Sequence, residues 1–115
     1  MDKEELKQRT KQFALRTLKV VRALPKDAAG RALANQLVRS ATSVGANYRA
    51  ACRGRSKAEF LAKLGTVLEE ADESAYWLEL IMEDGMLPGP RVESLHKEAD
   101  ELCAIFYSAI QSSRQ

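Results

Sequence analysis

Apolar residues recur at helical spacing along four consecutive stretches of this chain, and a break containing Pro or Gly separates each stretch from the next. Leu6, Phe13, Val20 and Leu24, with Thr10 and Thr17 between them, follow alternating steps of three and four and share one helical stripe. Asp2, with Glu5 three residues on, offers a start for this helix, and Pro25 disfavours helical geometry at Leu24. Gly30, Ala34, Leu37, Ala41, Val44, Tyr48 and Cys52 fall within about 60° of one direction at about 100° per residue. Gly54-Arg55 closes that second helix, and Ser56-Lys57-Ala58-Glu59 has the form of a capping box leading into Phe60. Phe60, Leu64, Val67, Ala71, Ala75, Leu78 and Met82 make a third stripe, which stops where Gly85, Pro88, Gly89 and Pro90 cluster. Leu95, Ala99, Leu102, Phe106 and Ala109 make the fourth, with fraying expected after Ile110.

These signals predict helices over about 2–24, 26–53, 57–84 and 90–111. Links of only a few residues fold each helix back on its predecessor, so the expected fold is all-α, an antiparallel up-down-up-down four-helix bundle. One domain over residues 1–115 accounts for the whole sequence. Composition agrees, because 45% hydrophobic and 30% charged residues suit a globular domain, and only 6% aromatics leave little for a turn-rich β fold. No stretch approaches the roughly 20 uninterrupted apolar residues that cross a bilayer, and Met1-Asp2-Lys3-Glu4-Glu5 lacks the apolar run of a signal peptide. A cytoplasmic protein with no membrane partner is therefore expected. Cys52 and Cys103 are too few for a disulfide framework and read as small buried thiols.

The net charge of +2 conceals a strong asymmetry along the chain. Residues 1–25 carry seven basic and three acidic side chains, and residues 26–57 carry seven and one. In residues 58–85 the balance reverses to one basic and eight acidic, and residues 86–115 carry three and four. Part of this asymmetry is expected to close as ion pairs between helices, and what does not close is available to a partner.

Arg31, Arg39, Arg49 and Arg53 lie within about 80° on one flank of the second helix, and Arg55 and Lys57 continue the charge into the turn. Lys7, Lys11, Lys19 and Arg22 add to it from the outer face of the first helix. This ridge is a candidate surface for RNA or DNA; solvated lysines with arginines paired to the third helix are the alternative. Tyr48 falls on the core stripe, so no aromatic is interleaved for base stacking.

The run Ser40-Ala41-Thr42-Ser43-Val44-Gly45-Ala46-Asn47 is costly in a helix, since a glycine there loses about 1 kcal/mol relative to Ala. A close helix crossing with Asn47 hydrogen-bonded at its edge explains it better than a phosphate-cradling loop, which would need a preceding strand and a Gly-Lys-Ser/Thr. Glu93-Ser94-Leu95-His96 has the Glu-x-x-His form of bundle di-iron sites, but His96 is the single histidine, and Glu69 and Glu73 point away from the core stripe. No metal, cofactor or catalytic relay is expected; His96 is placed beside Asp100 and Tyr107. Tyr76 and Leu80 lie nearly opposite the third core stripe and Trp77 well off it, while Leu15 and Leu18 do the same on the first helix. Large apolar groups on both faces of a bundle helix suggest a subunit interface, with isolated surface aromatics as the alternative.

Leu24-Pro25, the run Gln36-Leu37-Val38-Arg39-Ser40-Ala41-Thr42-Ser43-Val44-Gly45-Ala46-Asn47, the segment Ser56-Lys57-Ala58-Glu59-Phe60, and Glu70, Glu73, Trp77 and Leu78 agree in order, spacing and helix placement with a known family. Together they resemble the four helix bundle proteins encoded in intervening sequences of bacterial 23S rRNA genes, over nearly the whole chain. That resemblance implies a homopentameric, barrel-like assembly. It also implies kinship with the accessory variability determinant of diversity-generating retroelements, a basic pentamer that associates with nucleic acid and a reverse transcriptase. The family has no established activity. Where many members read Asn-Ile-Ala-Glu-Gly, this chain reads Asn47-Tyr48-Arg49-Ala50-Ala51, exchanging an acidic residue for the basic Arg49.

Three functions remain in view: a non-enzymatic oligomeric module contacting nucleic acid, a protein-interaction scaffold with internally paired charges, and, resting on Glu93 and His96 alone, a metal-dependent bundle enzyme.

Overall fold

Four helices, α1 (Lys3–Arg22), α2 (Ala28–Cys52), α3 (Lys57–Asp84) and α4 (Pro90–Ser113), make up the computed structural model, which describes residues 1–114. Their ends are set by local chemistry. The Asp2 carboxylate caps α1 by accepting from the Glu5 backbone N–H at 2.8 Å. The helix stops at Arg22, short of the expected Leu24, because the Ala23 and Leu24 N–H groups turn back to Val20 and Val21 at 3.0 and 3.2 Å ahead of Pro25. Helix α2 starts at Ala28 and not at Lys26, since Asp27 is its cap and accepts from the Gly30 N–H at 2.8 Å.

Ser56 caps α3, its hydroxyl accepting from the Glu59 N–H at 3.1 Å. The Glu59 carboxylate reaches back to the Arg55 N–H at 2.7 Å, one residue before the position that a reciprocal capping box uses. Gly85, with φ of 73°, closes α3 in the left-handed conformation. Helix α4 opens with Pro90 in its first turn and runs to Ser113, past the end expected near Ile110. Ile110 is buried, and its carbonyl accepts from the Arg114 N–H at 3.2 Å, which holds the last turn in place.

Each helix packs against its sequence neighbours, α4 closes on α1, and the diagonal pairs meet only through side chains such as Tyr48 and Phe106. Arg9 pairs with Glu98 and Glu101 while Arg16 meets Ser94, so α1 and α4 run in opposite directions. The molecule measures 45 × 20 × 19 Å, matching rods of about 42 Å laid side by side for the 28-residue α3.

The expected stripes form the core, with Phe13, Leu37, Leu64, Leu78, Leu102 and Phe106 fully buried. Tyr48 is buried too, its ring centroid 5.4 Å from that of Phe106. Ser74, Ile81 and Val92 also belong to this interior, whereas Met82 and Phe60 are only half-buried. The Thr10 and Thr17 hydroxyls donate to Leu6 and Phe13 carbonyls at 2.9 Å, so neither polar group is left unpaired.

The small-residue run of α2 is a close helix crossing. A Cβ on Gly45 would stand 3.3 Å from Thr10 Oγ1 of α1. Asn47 donates to the Ser43 carbonyl at 2.9 Å, and Ser74 Oγ meets Ser40 Oγ at 2.8 Å across α2 and α3.

Candidate nucleic-acid interface

Because Thr10, Ala14, Gly45 and Ala46 are small, the outer seam between α1 and α2 is a groove, of about 480 Å³. Lys7, Lys11, Arg49 and Arg53 line its walls, with Glu4 as the single carboxylate. Glu4 pairs with Lys7 at 3.2 Å. Lys11, Arg49 and Arg53 are exposed and form no ion pair among the described residues.

The remaining basic candidates divide by location. Arg31 sits at the same rotation as Arg49 on α2, and Arg22 ends α1; both are exposed. Arg55 and Lys57, also exposed, flank the turn into α3 at the other end of α2. Lys19 does not join the groove: it lines a separate pocket of about 280 Å³ with Arg16 and Arg91, between α1 and the start of α4. Arg39 differs again, since its guanidinium bonds to Glu70 at 3.1 Å and to Glu73. The ridge drawn from helical rotation alone is therefore split, with Arg39 turned to the acidic helix.

The opposite side of the bundle has the opposite sign. Glu69, Asp72, Glu73, Glu79, Glu83 and Asp100 line an open groove of about 830 Å³ between α3 and α4, with Tyr76, Met82 and His96 among them. Tyr76 is 53% exposed, and its ring lies 5.2 Å from that of Trp77. Trp77 is half-buried against the core and donates its indole N–H to Glu73 at 3.1 Å. Leu80 and Leu18 are half-buried, Leu15 is 43% exposed, and Tyr107 on α4 is exposed as well.

His96 Nδ1 lies 3.6 Å from Asp100. Among the described residues, no group of three or more His, Cys, Asp or Glu side chains is placed to hold a metal ion. Burial pushes the Cys103 thiol up to about 11, with Asp72 and Asp100 adding to the effect, which is the reverse of an activated nucleophile. Burial, with Cys52 beside it, likewise holds the Tyr48 hydroxyl above its ordinary range.

Helix-to-helix ion pairs are few. Among the described residues, the cross-helix ion pairs besides those of Arg39 are made by Arg9, whose guanidinium bonds both Glu98 oxygens at 2.7 and 2.8 Å and Glu101 at 3.4 Å. The Glu98 hydrogen bonds hold Arg9 above its ordinary value. No sequence signal marks this contact, because the partners are 89 residues apart.

The fold and its surfaces define an all-α four-helix bundle with one basic and one acidic lateral face. The chain belongs to the family of 23S rRNA-intervening sequence proteins, whose pattern matches residues 2–108. It is also similar to a crystal structure of a protein of unknown function from the S23 ribosomal protein family of Bacteroides thetaiotaomicron. That likeness covers 90% of this chain and 96% of the other at 33% identity, with a TM-score of 0.83. No curated protein matches the chain. Among the described residues, no helix is long and apolar enough to cross a membrane.

Proposed function

We propose that this chain is a non-enzymatic, oligomeric module that binds RNA or DNA along the basic groove between α1 and α2. The observation that carries the reading is the set Lys11, Arg49 and Arg53, three exposed cations around one groove without a counter-ion among the described residues. Such cations neutralise phosphates and release condensed counter-ions, so binding falls steeply with salt. Arg22 and Arg31 extend the track beyond the groove, and Arg55 and Lys57 extend it at the other end. With Tyr48 buried, the contacts are to backbone phosphates and not stacked bases.

Fluorescence anisotropy with a labelled oligonucleotide across a salt series tests this. We expect Arg49→Ala/Arg53→Ala to weaken binding and to lower the slope of log K against log[salt] by about 2. No binding at low salt, or an unchanged slope in the double variant, would sink the reading.

Leu15, Leu18, Tyr76, Trp77 and Leu80 are the proposed contacts between copies, with five copies and a cytoplasmic location as the family resemblance and the sequence suggest. The acidic α3–α4 groove favours a second reading, a scaffold for a protein partner, which the resemblance would make a reverse transcriptase. A pull-down that recovers such a partner after nuclease treatment, together with no oligonucleotide binding, would replace the first reading with the second.

A further inference from the structure

Arg9 and Arg16 share one side of α1, about two helical turns apart, and both reach α4. What they meet there differs. Arg9 forks onto the two oxygens of Glu98. Arg16, half-buried, meets no carboxylate among the described residues; its Nη2 donates to the Ser94 hydroxyl at 2.9 Å. Beside it lies the pocket of about 280 Å³, to which Lys19 of α1 and Arg91 of α4 bring two more cations, next to the buried Val20 and Leu95. No carboxylate lines this pocket, and none of its three cations has an ion pair among the described residues. The α1–α2 groove contains Glu4 and the α3–α4 groove is acidic, so a wholly basic lining sets this pocket apart from both.

We propose that the α1–α4 pocket is a phosphate site, in which Arg16, Lys19 and Arg91 bind a doubly charged phosphate, either inorganic phosphate or the phosphomonoester end of a larger molecule. The site is independent of the nucleic-acid reading of the α1–α2 groove. Charge selects the ligand: a phosphomonoester brings about −1.5 to −2 and three terminal oxygens to three cations, whereas an internal phosphodiester brings a single charge. Three like charges around one recess repel each other, and a bound dianion removes that repulsion. The two guanidiniums give forked donors suited to phosphate oxygens, and Lys19 adds a mobile point charge. Ser94 accepts from Arg16, which leaves its own hydroxyl proton for a phosphate oxygen. Size agrees, because about 280 Å³ is just under the roughly 300–1,000 Å³ of pockets that enclose drug-sized ligands; the charged group enters and the rest of a larger ligand stays outside. The first turn of α4, which carries Arg91 and Ser94, adds the positive end of its helix dipole.

Isothermal titration with inorganic phosphate, at an ionic strength held constant with chloride, tests the site. Lys19→Gln/Arg91→Gln removes two of the three cations at exposed positions, where the fold is preserved. Its affinity for phosphate should fall about tenfold or more, as charge-assisted hydrogen bonds are lost. Lys63→Gln/Lys97→Gln removes the same net charge from exposed positions outside the pocket and should bind phosphate as the wild type does. Phosphate heats no different from those of chloride, or an equal loss in both double variants, overturns the site. So does an affinity unchanged in Lys19→Gln/Arg91→Gln. Oligo(dT) bearing a 5′-phosphate or a 5′-hydroxyl then separates the two sources of the ligand. Several-fold tighter binding of the phosphorylated strand, lost in Lys19→Gln/Arg91→Gln, supports the site with a strand end as its ligand. Equal binding of the two strands, with inorganic phosphate still bound, supports it with a free phosphate. If neither strand binds, the groove reading fails, while the phosphate titration still decides the pocket.

Discussion

The α1–α2 side and the α3–α4 side are built alike, each from two antiparallel helices over a shared core, yet their outer seams differ in volume and sign. The first is a basic groove of about 480 Å³ and the second an acidic one of about 830 Å³. On the first side Gly45 lets α2 approach Thr10 of α1 closely. Sign follows from topology. In an up-down bundle, consecutive helices are neighbours, so a chain basic in its first 57 residues and acidic over 58–85 turns its charge blocks into faces. Among the described residues only Arg39 bridges the two blocks, while Arg9 pairs with α4, which leaves most of the difference on the surface.

The largest effect should come from the core that both sides share. Phe106→Ala is expected to cost about 3–5 kcal/mol in urea unfolding, as a fully buried ring is lost. Both faces should weaken together, so loss of oligonucleotide binding without loss of stability would break the comparison.

Next, Gly30→Ala acts on the α1–α2 side alone, since its Cβ would fall 1.9 Å from the Pro25 carbonyl oxygen. About 1–3 kcal/mol is expected, against a smaller change for Gly45→Ala, where contact is 3.3 Å and a gain in helix propensity of about 1 kcal/mol offsets it. Equal effects at the two sites would show that the turn, and not the crossing, tolerates strain.

Cys103 reports on the acidic side. With its thiol pushed up to about 11, alkylation at neutral pH should be slower in the folded chain than in urea, and faster in Asp72→Asn. A rate independent of Asp72 would mean that burial alone sets the thiol's behaviour.

The smallest effect concerns the α1 cap at the mouth of the basic groove. The Glu5 N–H holds the Asp2 carboxyl below its ordinary 3.8, so its contribution is present above that value and is lost as pH falls through the depressed one. Asp2→Asn keeps the cap but should remove this pH dependence from acid unfolding curves.

The helices and their burial were largely legible in the chain. Periodicity placed the stripes of Phe13, Leu37, Leu78 and Phe106, and the Ser56 box located the start of α3. The cap of α2 is less legible, because Lys26 already fits a helix after Pro25, and the hydrogen bond from the Gly30 N–H identifies Asp27 as the cap. On the surface, rotation about one helix axis groups Arg39 with Arg49 and cannot tell them apart. Their difference depends on which helix stands beside each: Arg39 reaches Glu70 and Glu73, while Arg49 lines a groove whose one carboxylate is taken by Lys7.

By itself the sequence determined the elements, the caps of α1 and α3, the inward stripes and the segregation of charge, because those depend on residues within a turn or two of one another. Only the tertiary structure decided which cations are neutralised and which remain open, that Lys19 joins Arg16 and Arg91 and not the groove, and that Tyr76 stands among carboxylates. The physical reason is range. An ion pair or a groove is made by side chains brought to within a few ångströms from helices far apart in the chain, as with Arg9 and Glu98, and that proximity exists only once the helices have packed.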